Sequence, residues 1–246
     1  VDHPTGQIVA RLCDVAPDGT SQRISYRALN LTHHASHETP EHLVAGQVYC
    51  ATLTLNECAH RLRPGHHLRL VLSNSYWPIV WPSAHPTEIT LHLDQTALVL
   101  PVRSVTDEPA PCNPGPARDY PTLPTDTLRA PCSRSTSETL VDGTEVLETF
   151  DDYGMSRDLT HRLITGSNVK NRYAITPTDP TSARFDSSWQ FSFERDGWRV
   201  VIETQNTMTC DADNFYLHRS LRATEGADDT KVLTREWSET IPRGLL

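Results

Sequence analysis

Apolar side chains recur at every second residue along most of this chain, in short runs closed by turn residues, and that period belongs to strands rather than helices. Residues 8–15 form an apolar run ending at Pro17-Asp18-Gly19, a hairpin turn signal. Residues 23–31 return with Ile24, Tyr26 and Ala28 on one face. Residues 47–55 align Tyr49, Ala51, Leu53 and Leu55. Pro64-Gly65 opens a strand over 67–73 with Leu68, Leu70 and Leu72 on one side. Residues 88–93 and 97–102 turn Ile89, Leu91 and Leu93, then Leu98, Leu100 and Val102, inward.

The second half repeats the pattern. Asp142-Gly143 separates strands at 135–141 and 144–150, and Asp196-Gly197 joins 182–193 to 198–207. Trp189, Phe191 and Phe193 in one strand face Trp198, Val200 and Ile202 in the next. Residues 214–223 pair with 231–237. A helical turn competes only at 158–164. The spacing predicts an all-β chain, a sandwich or a barrel.

Between the halves, Pro109, Pro111, Pro114, Pro116, Pro121, Pro124 and Pro131 crowd a segment with little apolar periodicity. It reads as a linker or an extended strap. The expected organisation is a β-sandwich over 1–106, a proline-rich strap over 107–131 and a second antiparallel β-region over 132–246.

The net charge of -9 argues against nucleic acid and against an anionic membrane as partner. No apolar run reaches membrane-spanning length and no signal segment opens the chain, so the expected location is the cytoplasm. The 6 cysteines are scattered without a Cys-x-x-Cys pair, which fits neither a disulfide framework nor a zinc site. Cys112 and Cys132 flank the strap and are the one pair open to bridging under oxidising conditions.

None of the 11 glycines builds Gly-x-Ser-x-Gly or a phosphate-binding loop, and His-Glu-x-x-His is absent. No catalytic residue and no cofactor is expected. Histidine is the anomaly. His33, His34, His37 and His42 cluster, as do His60, His66 and His67; His33 and His37 have helical ligand spacing and are the weak metal candidates. The plainer reading places them in polar loops. Asp211-Ala212-Asp213-Asn214 lacks the Gly and Glu of a calcium loop and reads as a turn. Asn30-Leu31-Thr32 is a glycosylation sequon in form only.

After residues 67–73 the chain enters a loop too apolar to face water: Tyr76, Trp77, Ile79, Val80 and Trp81. These residues are the candidate interdomain contact. The alternatives are a loop closing the chain's own sandwich, or a ligand-binding jelly-roll module in which Trp77 and Trp81 stack on sugar rings. Against the last, Pro78, Ile79 and Val80 lie between the indoles where a sugar site needs polar partners.

Several segments carry a family likeness. Residues 10–19, 29–33, Ser36-His37-Glu38, Pro64-Gly65-His66 and 73–78, with 173–177, Asp179-Pro180, 198–203, 210–212 and 237–246 in the second half, resemble the C-terminal domain of X-Pro dipeptidyl-peptidases and cocaine-esterase-like (CocE/NonD) hydrolases. The resemblance implies a jelly-roll-like antiparallel β-sandwich with a further C-terminal β-region. It also implies an upstream α/β-hydrolase domain in the same polypeptide, which carries the Ser-Asp-His triad. The sandwich would then be non-catalytic, stabilising that domain and helping to wall its acyl pocket. No triad residue maps onto this sequence. The abrupt opening at Val1-Asp2-His3-Pro4 reads as a C-terminal piece lacking its first strand. A missing strand leaves an open sheet edge, so the isolated chain is expected to form a homo-oligomer or exchange strands.

Overall fold

The computed structural model describes residues 1–102, 115–117, 123–226 and 231–245. Its strands are β1 (Gln7–Val15), β2 (Ser21–Asn30), β3 (His67–Ser73), β4 (Thr125–Arg129), β5 (Cys132–Thr139), β6 (Glu145–Asp158), β7 (Ile164–Thr176), β8 (Asp179–Arg195), β9 (Trp198–Cys210), β10 (Asn214–Glu225) and β11 (Lys231–Pro242). Helix among the described residues is limited to 3-10 turns at Leu31–His33 and Leu93–Gln95. All pairing is antiparallel, in a small sheet of order β2-β1-β3 and a large meander of order β11-β10-β9-β8-β7-β6-β4, with β5 also on β6. The described chain is therefore all-β, as its periodicity predicts, and its strands form two sheets rather than a closed barrel.

β1 is the middle strand of the small sheet and is buried on both faces. A strand covered on both sides carries a near-continuous apolar run, which explains why residues 8–15 do not alternate. Ile8, Leu31 and Leu43 form a buried cluster, closed over by Val1, Leu29, Tyr49, Ala51, Leu53 and Ile89. The alternation over 47–55 thus aims its side chains correctly.

The same alternation does not make strands of 47–55, 88–93 and 97–102, which run without a ladder. Side-chain period reports which residues seek a core; a strand also needs a neighbouring backbone to take its N–H and C=O groups. The inward row at 91–102 needs correcting. Leu91, Leu93, Leu98 and Val102 are exposed, Leu93 at 72% and Val102 at 89%. The 3-10 turn starting at Leu93 breaks the period of two there. Among the described residues, 1–102 hold three ladder strands, short of the eight of a complete jelly roll.

The large sheet turns where its glycines allow. Asp196 (φ 52°) and Gly197 (φ 84°) swing β8 into β9. The register then sets Phe193 opposite Val200 and Phe191 opposite Ile202, the facing rows expected from sequence. Trp189 stacks on Phe191 with centroids 5.4 Å apart, and Tyr153 on Trp189 at 6.0 Å. The other face carries charge: Arg184 grips Asp186 through two bonds of 2.7 and 2.6 Å, and Lys170 reaches Glu148 at 3.2 Å.

One edge of this sheet is cut in two. β6 bulges between Asp152 and Met155, and Gly154 sits there at φ +81°. A Cβ on Gly154 would lie 2.5 Å from the Arg129 carbonyl oxygen. Buried Asp152 accepts the Gly154 N–H at 2.8 Å and ion-pairs with Arg129. Pro131 has no N–H to give, so the edge leaves off as β4 and resumes as β5. β4 thus occupies the last part of the expected strap; 103–114 and 118–122, with Cys112 and its suggested bridge to Cys132, lie outside the described residues.

Candidate functional site

The aromatic loop leaves β3 through local bonds: Ser73 Oγ donates to the Ser75 carbonyl at 2.8 Å, and Asn74 Nδ2 to the Thr87 carbonyl at 2.5 Å. The Val80 N–H returns to the Tyr76 carbonyl at 2.9 Å and closes the turn. The sequence places large rings on either side of this turn, and each finds a different sheet.

Tyr76 lies against the small sheet. The Arg11 guanidinium sits 4.8 Å from its ring centroid, Arg23 donates to its hydroxyl, and Tyr26 meets it edge-on at 5.8 Å. Trp77 and Trp81 lie against the large sheet. They meet each other edge to face at 5.1 Å and 85°, Trp77 contacts Tyr173 at 6.2 Å, and Trp81 contacts Phe215 at 5.9 Å. The Trp81 Nε1–H donates to Cys210 Sγ at 3.3 Å. Tyr173, Phe185, Cys210 and Phe215 share one sheet face through the β7–β10 registers.

Arg243 locks the junction. It is only 4% exposed, lies 4.6 Å over the Phe215 ring, and donates to the carbonyls of Pro82 at 2.5 Å and Asp211 at 3.2 Å. Burial lowers its guanidinium below the usual arginine range. Nearby, Asn30 Nδ2 and Thr32 Oγ1 both donate to the Leu245 carbonyl, at 2.8 and 3.0 Å. The sequon asparagine is therefore committed to an internal bond. Nothing in the sequence marked Arg243 apart from other basic residues; its partners are carbonyls, which no motif records.

Of the expected contact residues, Tyr76, Trp77 and Trp81 join the chain's own two sheets. Val80 is half-buried and Ile79 is 55% exposed at the tip. The edge-to-face indoles, each against a ring of the large sheet, do not form the open platform a sugar ring needs.

The histidines divide. His33 and His37 face each other with Nδ1 atoms 3.3 Å apart. Among the described residues no group of three or more His, Cys, Asp or Glu side chains is placed to hold a metal ion. His60 and His66 do something the sequence did not announce: His60 Nε2 meets Asp14 Oδ2 at 2.7 Å and His66 Nδ1 meets Oδ1 at 2.8 Å. Asp14 is 7% exposed, and the two imidazoles, His60 first, hold its carboxyl below the usual aspartate range. This bridge pins the unpaired 51–63 segment to β1.

The loop and the Arg243 clamp thus define a β-sandwich module whose aromatic side chains are used in joining its sheets. Residues 1–120 match the family model for the X-Pro dipeptidyl-peptidase C-terminal non-catalytic domain, so this segment is similar to that family. The match spans β1 to β3 and the aromatic loop; β4 to β11 lie beyond it. No curated protein and no solved structure matches the chain. Among the described residues no helix is long and apolar enough to cross a membrane.

Proposed function

We propose that this chain is the non-catalytic β-sandwich of a serine hydrolase, seated on an upstream α/β-hydrolase domain of the same polypeptide. Its role is to stabilise that domain and help wall its acyl pocket. The observation that carries the reading is the exposed apolar run within the family-matched segment: Leu91, Leu93, Leu98, Val99 and Val102, with Val99 at 87%. Such a run needs a cover.

In this reading Ile79 and Val80 at the loop tip contact the catalytic domain together with the 91–102 run. Tyr76, Trp77 and Trp81 hold the loop rigid from behind. The parent would cleave esters or amides through an acyl-enzyme, with Ser, His and Asp supplied by the upstream domain. The reading frame upstream of Val1 should encode a Gly-x-Ser-x-Gly elbow. The 246-residue chain alone should leave p-nitrophenyl esters intact; turnover by the purified chain would end the proposal.

A further inference from the structure

Among the described residues β11 is the outermost strand of the large sheet and pairs only with β10. Its 12 residues run in one register, from Asn214 opposite Pro242 to Glu225 opposite Lys231, with no bulge. Proline occurs only at its last position. Its side chains over 232–242 are exposed. A strand this long and regular presents a continuous outer row of N–H and C=O groups, and nothing in its geometry blunts it. The opposite edge, broken at Pro131 into β4 and β5, offers no comparable length.

The side chains say what fits that row. Leu233, Arg235, Trp237, Glu239 and Ile241 alternate onto the face shared with Phe215, Leu217 and Leu221. About Trp237 this series is complementary to its own reverse: apolar, basic, aromatic, acidic, apolar. A second copy laid antiparallel, with Trp237 opposite Trp237, sets Arg235 opposite Glu239 twice and Leu233 opposite Ile241 twice. On the other face it sets Thr234 opposite Thr240 and Glu236 opposite Ser238. Opposite charges and large apolar residues at directly facing positions are the favourable cross-strand pairs.

Neighbouring registers fail. Centring on Glu236 puts two carboxylates face to face and sets Leu233 against Glu239. Centring on Ser238 sets Arg235 against Ile241 and Trp237 against Glu239. Arg235 is also available: among the described residues its guanidinium bonds only the Thr234 carbonyl, at 3.0 Å. Glu239 already pairs with Arg219 of its own chain and has a second side open. Trp237, Leu233 and Ile241 are 45%, 47% and 43% exposed, surface that pairing would cover.

We propose that two copies of this chain associate through β11, antiparallel about a two-fold axis at Trp237, fusing their large sheets into one. The edge expected from a missing N-terminal strand is not needed for this.

Sedimentation equilibrium of the 246-residue chain across a concentration series tests it. The wild type should show a dimer that weakens with salt. Arg235→Glu, which breaks no ion pair within the described chain, and Glu239→Arg should each place like charges opposite and raise the dimer dissociation constant at least tenfold. An equimolar mixture of the two variants should dimerise again, since the introduced glutamate of one copy then faces the introduced arginine of the other, and the remaining Glu239 faces the remaining Arg235. Circular dichroism establishes that each variant is folded, and Arg235→Glu alone suffices if Glu239→Arg is not. A wild type that stays monomeric at all concentrations, an unchanged dissociation constant in folded Arg235→Glu, or a mixture of folded variants that remains monomeric would overturn the proposal.

Discussion

Asp14 shows how one side chain can stand in for a missing ladder. The 51–63 segment has no strand partner, yet His60 and His66 tie it and the β3 turn to a buried carboxylate. Because the folded carboxyl titrates below its unfolded value, the bridge contributes its full stability above the ordinary aspartate pKa, near 3.9. That contribution is lost as the pH falls through the lower, folded value. Asp14→Asn should therefore unfold at a higher pH than wild type on acid titration, followed by circular dichroism. Arg243 is the second such residue. Arg243→Ala removes two bonds from a charged donor and the contact with Phe215, and should cost about 3 kcal/mol in urea unfolding.

At the scale of elements, what was legible depended on whether side chains or backbone decided the outcome. The β8–β9 hairpin was readable because Asp196-Gly197 and two facing apolar rows all agreed. β7 was not, although it lies in the middle of the sheet: Asn168, Lys170, Asn171 and Arg172 give it polar residues on both faces and erase the period. The bulge at Gly154 was equally silent, since it depends on the Arg129 carbonyl approaching from another strand. Gly154→Ala should destabilise the chain by about 3 kcal/mol, combining a strained φ with an overpacked edge. Trp81→Ala should cost about 2 kcal/mol in the isolated chain, less than the roughly 3–5 kcal/mol of a fully buried tryptophan because the indole is partly exposed. Thermal melts compare both with wild type. The loop itself was legible as something needing a cover; that its rings would divide between two sheets of the same chain was not, because Tyr173 and Phe215 lie far along the sequence.

For the whole molecule, the exposed run at 91–102 separates internal stability from docking. Val99→Asp replaces an 87% exposed side chain, so the isolated chain should melt within about 0.5 kcal/mol of wild type, as surface changes generally do. In the intact parent the same change should lower the melting temperature by several degrees, on the order of 1–2 kcal/mol of lost burial; equal behaviour in both would remove the 91–102 contact from the proposal. The Arg243 clamp carries one more consequence, for synthesis. Arg243 and Pro82 are separated by 161 positions, and Leu245 supplies the carbonyl that Asn30 and Thr32 bind. Emerging from the ribosome, the first sheet must wait for nearly the whole meander to follow before its junction can close. A premature stop codon just before Arg243 would therefore leave the Trp77 and Trp81 contacts without their latch, and would be felt at the first sheet, far along the sequence from the lesion.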